Sequence, residues 1–294
     1  MTTARLKSLI DSLPTSNLDA VILNPGPTLT HLTGVRFHLM ERPVVLFVAP
    51  GHDPALVLPE LEMPKLGLFP YKVQAFAYGE NPSEWDDAFR KAAQALGLDG
   101  KRIGVEPRQL RLLDFRHVKA GAPEAEYPDA SEVLSRLRLK KDKAEVDAMR
   151  RAVKIAQDAL EATIPLIKIG MTERELSSEL VIQLFKQGSD PELPFAPIVS
   201  GGPNAANPHA SPTDRKLQAG DLLVVDWGAA YDGYISDLTR TFAVGEVDDE
   251  CNKIHKIVQE ANAAGRAAGG PGVPCANVDK ATRENIEGFT QDSV

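Results

Sequence analysis

Cysteine is nearly absent. Cys251 and Cys275 are the only two among 294 residues, which excludes a disulfide framework and fits a reducing, cytoplasmic setting. No pairing of Cys and His has the spacing of a structural zinc site. Long apolar runs are missing too. Stretches such as Pro43–Pro50 and Leu222–Trp227 fall far short of the ~20 residues a bilayer-spanning helix needs. Met1–Pro14 carries Arg5, Lys7 and Asp11 where a secretory signal would place its apolar centre. Basic residues are in deficit: 33 Lys and Arg against 41 Asp and Glu leave a net charge of −8. That balance argues against binding nucleic acid through a basic surface. Neither a membrane nor a nucleic acid is therefore an expected partner. What remains is an ordinary globular composition, 43% apolar and 25% charged, able to bury a core. At roughly 150 residues per domain, the length is enough for about two domains.

The first 140 residues alternate strand-like and helix-like segments. Asp19–Asn24, Pro43–Ala49, Ala55–Pro59, Lys72–Ala77 and Arg102–Glu106 are short, apolar and mostly bounded by Gly, Pro or Asp, as buried strands are. Ser83–Leu96 follows Pro82 and Ser83 as start signals. Its Trp85, Ala88, Phe89, Ala92, Ala93 and Leu96 recur at three-to-four spacing, which predicts an amphipathic helix. This is the pattern of an α/β domain with helices packed on a mixed sheet.

A different grammar follows. Leu137–Lys143 is a basic run. Interleaved acidic residues mark it as a solvated face rather than an anion site. We expect a domain over 1–135, a linker over 136–142 and a second domain over 143–294. Val146, Met149, Val153, Ala156, Leu160 and Ile164 predict a first helix over 143–164, with its apolar stripe on those residues. A second spans 172–187, with Thr172 and Glu175 at capping-box spacing. Strands are expected at Phe195–Ser200, Leu222–Trp227 and Tyr234–Ala243, then helices over 249–268 and from about Asn277. Helices and strands in runs, with one hairpin, indicate an α+β domain.

Chemistry concentrates in Asp221–Phe242, DLLVVDWGAAYDGYISDLTRTF. Asp226 ends an apolar strand and Asp237 lies in the next. A hairpin turning about Tyr231-Asp232 would set the two carboxylates opposite each other, with Cβ atoms roughly 5 Å apart. Two such groups repel and resist desolvation. Protonating one relieves this, and a divalent cation relieves it better, since carboxylate oxygens suit Mn²⁺, Mg²⁺ or Zn²⁺. The plainer alternative is an exposed hairpin with two unrelated aspartates. Upstream, Ser200–Arg215 is rich in Gly, Asn and Pro and reads as a loop. It carries His209, either a solvent-exposed residue or a donor to a developing oxyanion.

The run PIVSGGPNAANPHASPTDRKL…GDLLVVDWGAAYDGYISDLTRTF resembles the metallopeptidases with the pita-bread fold, most closely their Xaa-Pro dipeptidase (prolidase) and aminopeptidase P branch. Thr33-Gly34 in HLTGV, the stretch LRLKKDKAEVDAMRRAVKIAQDAL and Pro271–Arg283 extend the likeness over most of the chain. The resemblance implies a creatinase-like N-terminal α/β domain and a partial pita-bread α+β C-terminal domain. It implies two divalent metal ions, Mn²⁺ foremost with Zn²⁺ or Co²⁺ as alternatives. Asp226 would be the first metal ligand, Asp237 the bridging one, and His209 a substrate-side catalytic histidine. Asp214 and Arg215 would form a pair that fixes the His209 loop. The reaction would be hydrolysis of the bond before proline in an Xaa-Pro dipeptide or short peptide, by a cytoplasmic homodimer.

The likeness is incomplete. The family's centre has five protein ligands, and an HxxGHG-like segment and two later glutamates have no counterpart before Val294. His255 reads as a helix-surface residue, and Glu284 and Glu287 as ordinary helix carboxylates. The chain therefore carries part of the site and is expected to be poorly active alone. A non-catalytic peptide- or protein-binding module and a creatinase-type hydrolase are the alternatives. The long N-terminal domain argues against a minimal methionine aminopeptidase.

Overall fold

Short strands, all but the edge strand Gln74–Tyr78 buried throughout, organise the first half of the chain. The computed structural model describes residues 2–291, with side chains as far as Glu287. By internal packing it divides into two units, Met1–Lys143 and Ala144–Val294. The first holds β1 (Ala20–Leu23), β2 (Val45–Val48), β3 (Ala55–Pro59), β4 (Gln74–Tyr78) and β5 (Ile103–Gly104). They form one mixed sheet in the order β4-β3-β2-β1-β5. β1 and β2 are buried at every residue, so both faces must be covered. Ala20 and Ile22 feed one core layer, Val21 and Leu23 the other.

Helices cover both faces. On one side lie α3 (Trp85–Ala95) and α4 (Leu112–Gly121); on the other lie α1 (Thr2–Ser12), α2 (Pro27–Thr33) and α5 (Ser131–Leu139). The expected stripe on α3 is the buried one: Trp85, Ala88, Phe89, Ala92 and Ala93. Its Phe89 is fully buried, worth about 1.5–3 kcal/mol. The turn before α3 is capped by Asn81, which accepts from the Ser83 N–H, so Ser83 is the capped residue and not the cap. The segment 136–142, expected as a linker, is helical as far as Leu139.

The second unit begins with α6 (Lys143–Thr163) and α7 (Glu173–Lys186). Thr172 and Glu175 form the expected capping box at the start of α7. The buried stripe of α6 matches the expected one only in part. Ala156 and Leu160 are buried as expected, but Ala148, Ala152, Ile155 and Ala159 join them, while Val146, Met149 and Val153 are half-buried on the flank and Ile164 is exposed. Alanines let the helix lie close to the sheet, and a search for large apolar side chains passes over them.

That sheet is antiparallel, in the order β10-β7-β6, from β6 (Ile198–Gly201), β7 (Asp221–Trp227) and β10 (Leu238–Val244), with β8 (Ala230–Tyr231) and β9 (Tyr234–Ile235) as a separate short ribbon. β6 starts later than expected because Pro197 has no N–H to give the ladder. β7 alternates strictly. Asp221, Leu223, Val225 and Trp227 are buried, and Leu222, Val224 and Asp226 are half-buried. Leu223, Val225 and Trp227 pack in one core with α6 and α7, and the Trp227 indole donates to the Ala156 carbonyl at 2.8 Å. Leu222, Val224 and Asp226 therefore share the opposite face. Beyond β10, α8 (Asp249–Ala268) and α9 (Cys275–Gln291) pair. A Cβ at Gly265 would lie 2.5 Å from Thr282 Oγ1, so glycine permits their close approach. α9 starts two residues before the expected Asn277.

Candidate metal centre

The aspartate pair is set by a turn. In the β8–β9 ribbon Tyr231 pairs with Tyr234 and Ala230 with Ile235, so the turn is Asp232-Gly233. Both residues have positive φ, 50° and 80°. A two-residue turn of this handedness needs left-handed backbone twice, and Asp-Gly supplies it where Tyr-Asp would not. The same register continues into β7–β10, where Asp226 pairs with Thr239 and Trp227 with Leu238. The expected turn about Tyr231-Asp232 is thus corrected by one residue and the pairing by two. Asp226 faces Thr239, and Asp237 occupies the diagonal position.

Between the two ribbons the ladder is interrupted. Ser236 N–H donates to the Ala229 carbonyl, while its Oγ accepts from the Ala229 N–H, both at 2.9 Å. A Cβ at Gly228 would lie 2.1 Å from the Ser236 carbonyl oxygen, so only glycine fits there. Asp237 follows directly and is exposed.

Asp226 is half-buried, and its Oδ1 is enclosed with no hydrogen-bond partner. Burial pushes its carboxyl above the usual range, and the Asp237 charge adds to this. The Thr239 hydroxyl and His209 act the other way. An enclosed, partnerless carboxylate oxygen beside a second carboxylate is what a divalent cation would satisfy. By donor type the residues fit such an ion. Among the described residues, no group of three or more His, Cys, Asp and Glu stands ready to hold one, so the two aspartates would supply at most part of a ligand set.

His209 is exposed on its loop, its N–H donating to Asn207 Oδ1 at 3.0 Å. The loop is held by a residue the sequence reading missed. Glu173, in the first turn of α7, is fully buried. It accepts from Gly201 N–H at 2.8 Å, Asn204 Nδ2 at 3.0 Å, Thr213 N–H at 3.0 Å and Thr213 Oγ1 at 2.6 Å. Burial alone would raise its pKa, but the bonds from Gly201, Thr213 and Asn204 outweigh this and hold it below the usual range. The only sequence signal was an acidic residue just after a capping Thr, which ordinarily marks a solvated helix start. Asp214 and Arg215 do not pair with each other as expected. Asp214 meets Arg174 at 2.9 Å on the surface. Arg215 grips Asp221 with two bonds of 2.7 Å. The loop is thereby tied to α7 and to the start of β7.

His255 is exposed on α8, and Glu284 is exposed on α9 within reach of Lys280 at 3.5 Å. Neither approaches a ligand role.

The family model for metallopeptidase family M24 matches residues 147–293, and that for the creatinase/prolidase N-terminal domain matches residues 5–140. A probable dipeptidase, PepE, of Mycobacterium tuberculosis is 32% identical, the match covering 92% of this chain and 71% of that protein. An Xaa-Pro dipeptidase of Lactobacillus helveticus is 29% identical, over 96% of this chain and 76% of that protein. The crystal structure of a prolidase from Thermococcus sibiricus superposes with a TM-score of 0.91 at 27% identity, covering 99% of this chain and 78% of that one. The chain belongs to metallopeptidase family M24, with a creatinase-like N-terminal domain ahead of a pita-bread domain.

Proposed function

We propose that the chain serves metal-dependent hydrolysis of the peptide bond before proline, on Xaa-Pro dipeptides or short peptides. The observation that carries this is the enclosed, partnerless oxygen of Asp226, whose carboxyl feels both the Asp237 charge and His209. Asp226 and Asp237 are the metal ligands. A divalent ion held there would supply the acidity that activates a water and the charge that polarises the scissile carbonyl. His209, on a loop anchored by Glu173 and Arg215, donates to the developing oxyanion. The proline imide has no N–H, so a pocket that demanded that donor would reject this substrate.

Mn²⁺ is the metal we favour, with Zn²⁺ or Co²⁺ as alternatives, in a cytoplasmic homodimer. The two carboxylates hold an ion loosely, because a hydrolytic dinuclear site needs further ligands to orient the water. Turnover by this chain is therefore expected to be low. That same partial ligand set favours a second reading, a module that binds peptides without cleaving them.

Dipeptide binding and proline release, each measured with and without Mn²⁺, test the reading. We expect Mn²⁺-dependent binding and slow, chelator-sensitive release, both lost in Asp226→Ala. Mn²⁺-dependent binding with no release favours the binding module. Binding and release that are unchanged in Asp226→Ala refute the site. Cleavage of creatine in preference to Xaa-Pro would move the reading to a creatinase-type hydrolase.

A further inference from the structure

Two enclosed polar atoms on one face of the β6–β7–β10 sheet lack a hydrogen-bond partner: Asp226 Oδ1 and Ser200 Oγ. Ser200 lies on β6 and is 1% exposed. The register sets Ile198 opposite Asp226 and Ser200 opposite Val224. Val199, between them, points into the apolar core with Leu223 and Val225. Ser200 therefore shares the face of Asp226 and is its diagonal neighbour on the adjacent strand.

Diagonal neighbours of this kind have Cβ atoms up to roughly 7–8 Å apart. The two oxygens do not bond to each other directly, and side chains reaching toward each other across such a separation suit one bridging water. A hydroxyl buried without a partner loses its hydration for no return. If the position needed only a small side chain, alanine would fill it without that loss. A water between the two atoms satisfies both.

We propose that Ser200 is a positioning residue of the metal centre. Its hydroxyl donates to a buried water, and that water donates to the Asp226 carboxylate. The carboxylate is then held in one orientation, with lone pairs left for a divalent cation. The inference rests on reading Asp226 as a metal ligand. It adds a support from a strand that carries no ligand of its own, in the way outer partners commonly orient metal-binding groups.

The test is Mn²⁺ binding by the full chain, followed through the electron paramagnetic resonance signal of free Mn²⁺, in wild type, Ser200→Ala, Ser200→Thr and Asp226→Ala. Metal-free melting temperatures are recorded beside it. Ser200→Ala should weaken Mn²⁺ binding about tenfold or more. Its metal-free melting temperature should change little, because the net worth of one water-mediated bond to stability is small. Ser200→Thr keeps the hydroxyl and should restore most of the affinity. If threonine does not fit, Ser200→Cys, near in size and a weak donor, should fall between serine and alanine. A lower melting temperature with unchanged Mn²⁺ affinity in Ser200→Ala would mean a purely structural serine and overturn the proposal. If Ser200→Ala binds like wild type while Asp226→Ala does not, only the Ser200 proposal fails. If Asp226→Ala also binds like wild type, the metal reading fails, and the Ser200 role with it.

Discussion

Replacing Glu173 by Gln probes the anchor of the His209 loop with almost no change of shape. The carboxylate accepts at both oxygens, from Gly201 and Asn204 on one side and from Thr213 on the other. An amide has one accepting end. Whichever way it turns, either the Gly201 or the Thr213 N–H loses its acceptor. An unpaired buried N–H costs about 1–3 kcal/mol, and the surviving bonds lose their charge assistance. Together these give about 3 kcal/mol. For a unit of this size that corresponds to a fall in melting temperature of roughly 6–12 °C. The loss should depend on pH. Glu173 sits below its ordinary pKa in the folded chain. Its extra stability is therefore fully present above the unfolded value of about 4.3 and disappears as pH falls through the lower folded value. Urea unfolding of both proteins at stepped pH reads this directly. The gap between wild type and Glu173→Gln should hold from neutral pH to about 5 and narrow progressively as the pH falls below the unfolded value of about 4.3. A gap under about 0.5 kcal/mol at pH 7, within ordinary surface-substitution scatter, would refute the anchoring argument. So would a gap that stays constant to pH 3.

Arg215→Met should destabilise by about 3 kcal/mol, because it leaves a buried Asp221 without its cation; chemical denaturation at neutral pH measures it. The Asp221 carboxyl is held below its usual range, chiefly by Arg215. The penalty should therefore shrink as pH falls through its folded pKa, since a protonated Asp no longer needs the cation. Gly228→Ala puts a methyl 2.1 Å from the Ser236 carbonyl oxygen. It should cost at least the 1–3 kcal/mol typical of overpacking and weaken Mn²⁺ binding, because Asp237 follows the displaced residue. Normal stability and normal Mn²⁺ binding in that variant would contradict the ribbon geometry.

Much of the fold was legible. Short apolar runs bounded by Gly, Pro and Asp marked the buried strands of the first unit, and Trp85, Ala88, Phe89 and Ala92 marked the buried face of α3. The capping box at Thr172 was readable from two residues three apart. Helices α1, α2, α4 and α5 were passed over, the first two for visible reasons. The first is rich in Ser and Thr, and the second has only seven residues between Gly26 and Gly34. The face of α6 was caught only at Ala156 and Leu160, because alanine, a weak hydrophobic signal, fills several of its other buried positions. At the site, the residue types were readable but the register was not. Turn chemistry decided it: Asp232-Gly233 admits two left-handed residues, and this moved Asp237 from the opposite to the diagonal position. Glu173 was invisible because its burial comes from a loop about thirty to forty residues downstream.

The central claim is that Asp226 and Asp237 together hold a divalent cation. Equilibrium Mn²⁺ uptake by the wild-type chain, Asp226→Ala and Asp237→Ala tests it most directly, with folding of each confirmed by circular dichroism. The account predicts that the wild type takes up Mn²⁺ loosely but stoichiometrically and that either single substitution abolishes this uptake. Uptake that survives unchanged in both variants would contradict it and place the metal elsewhere.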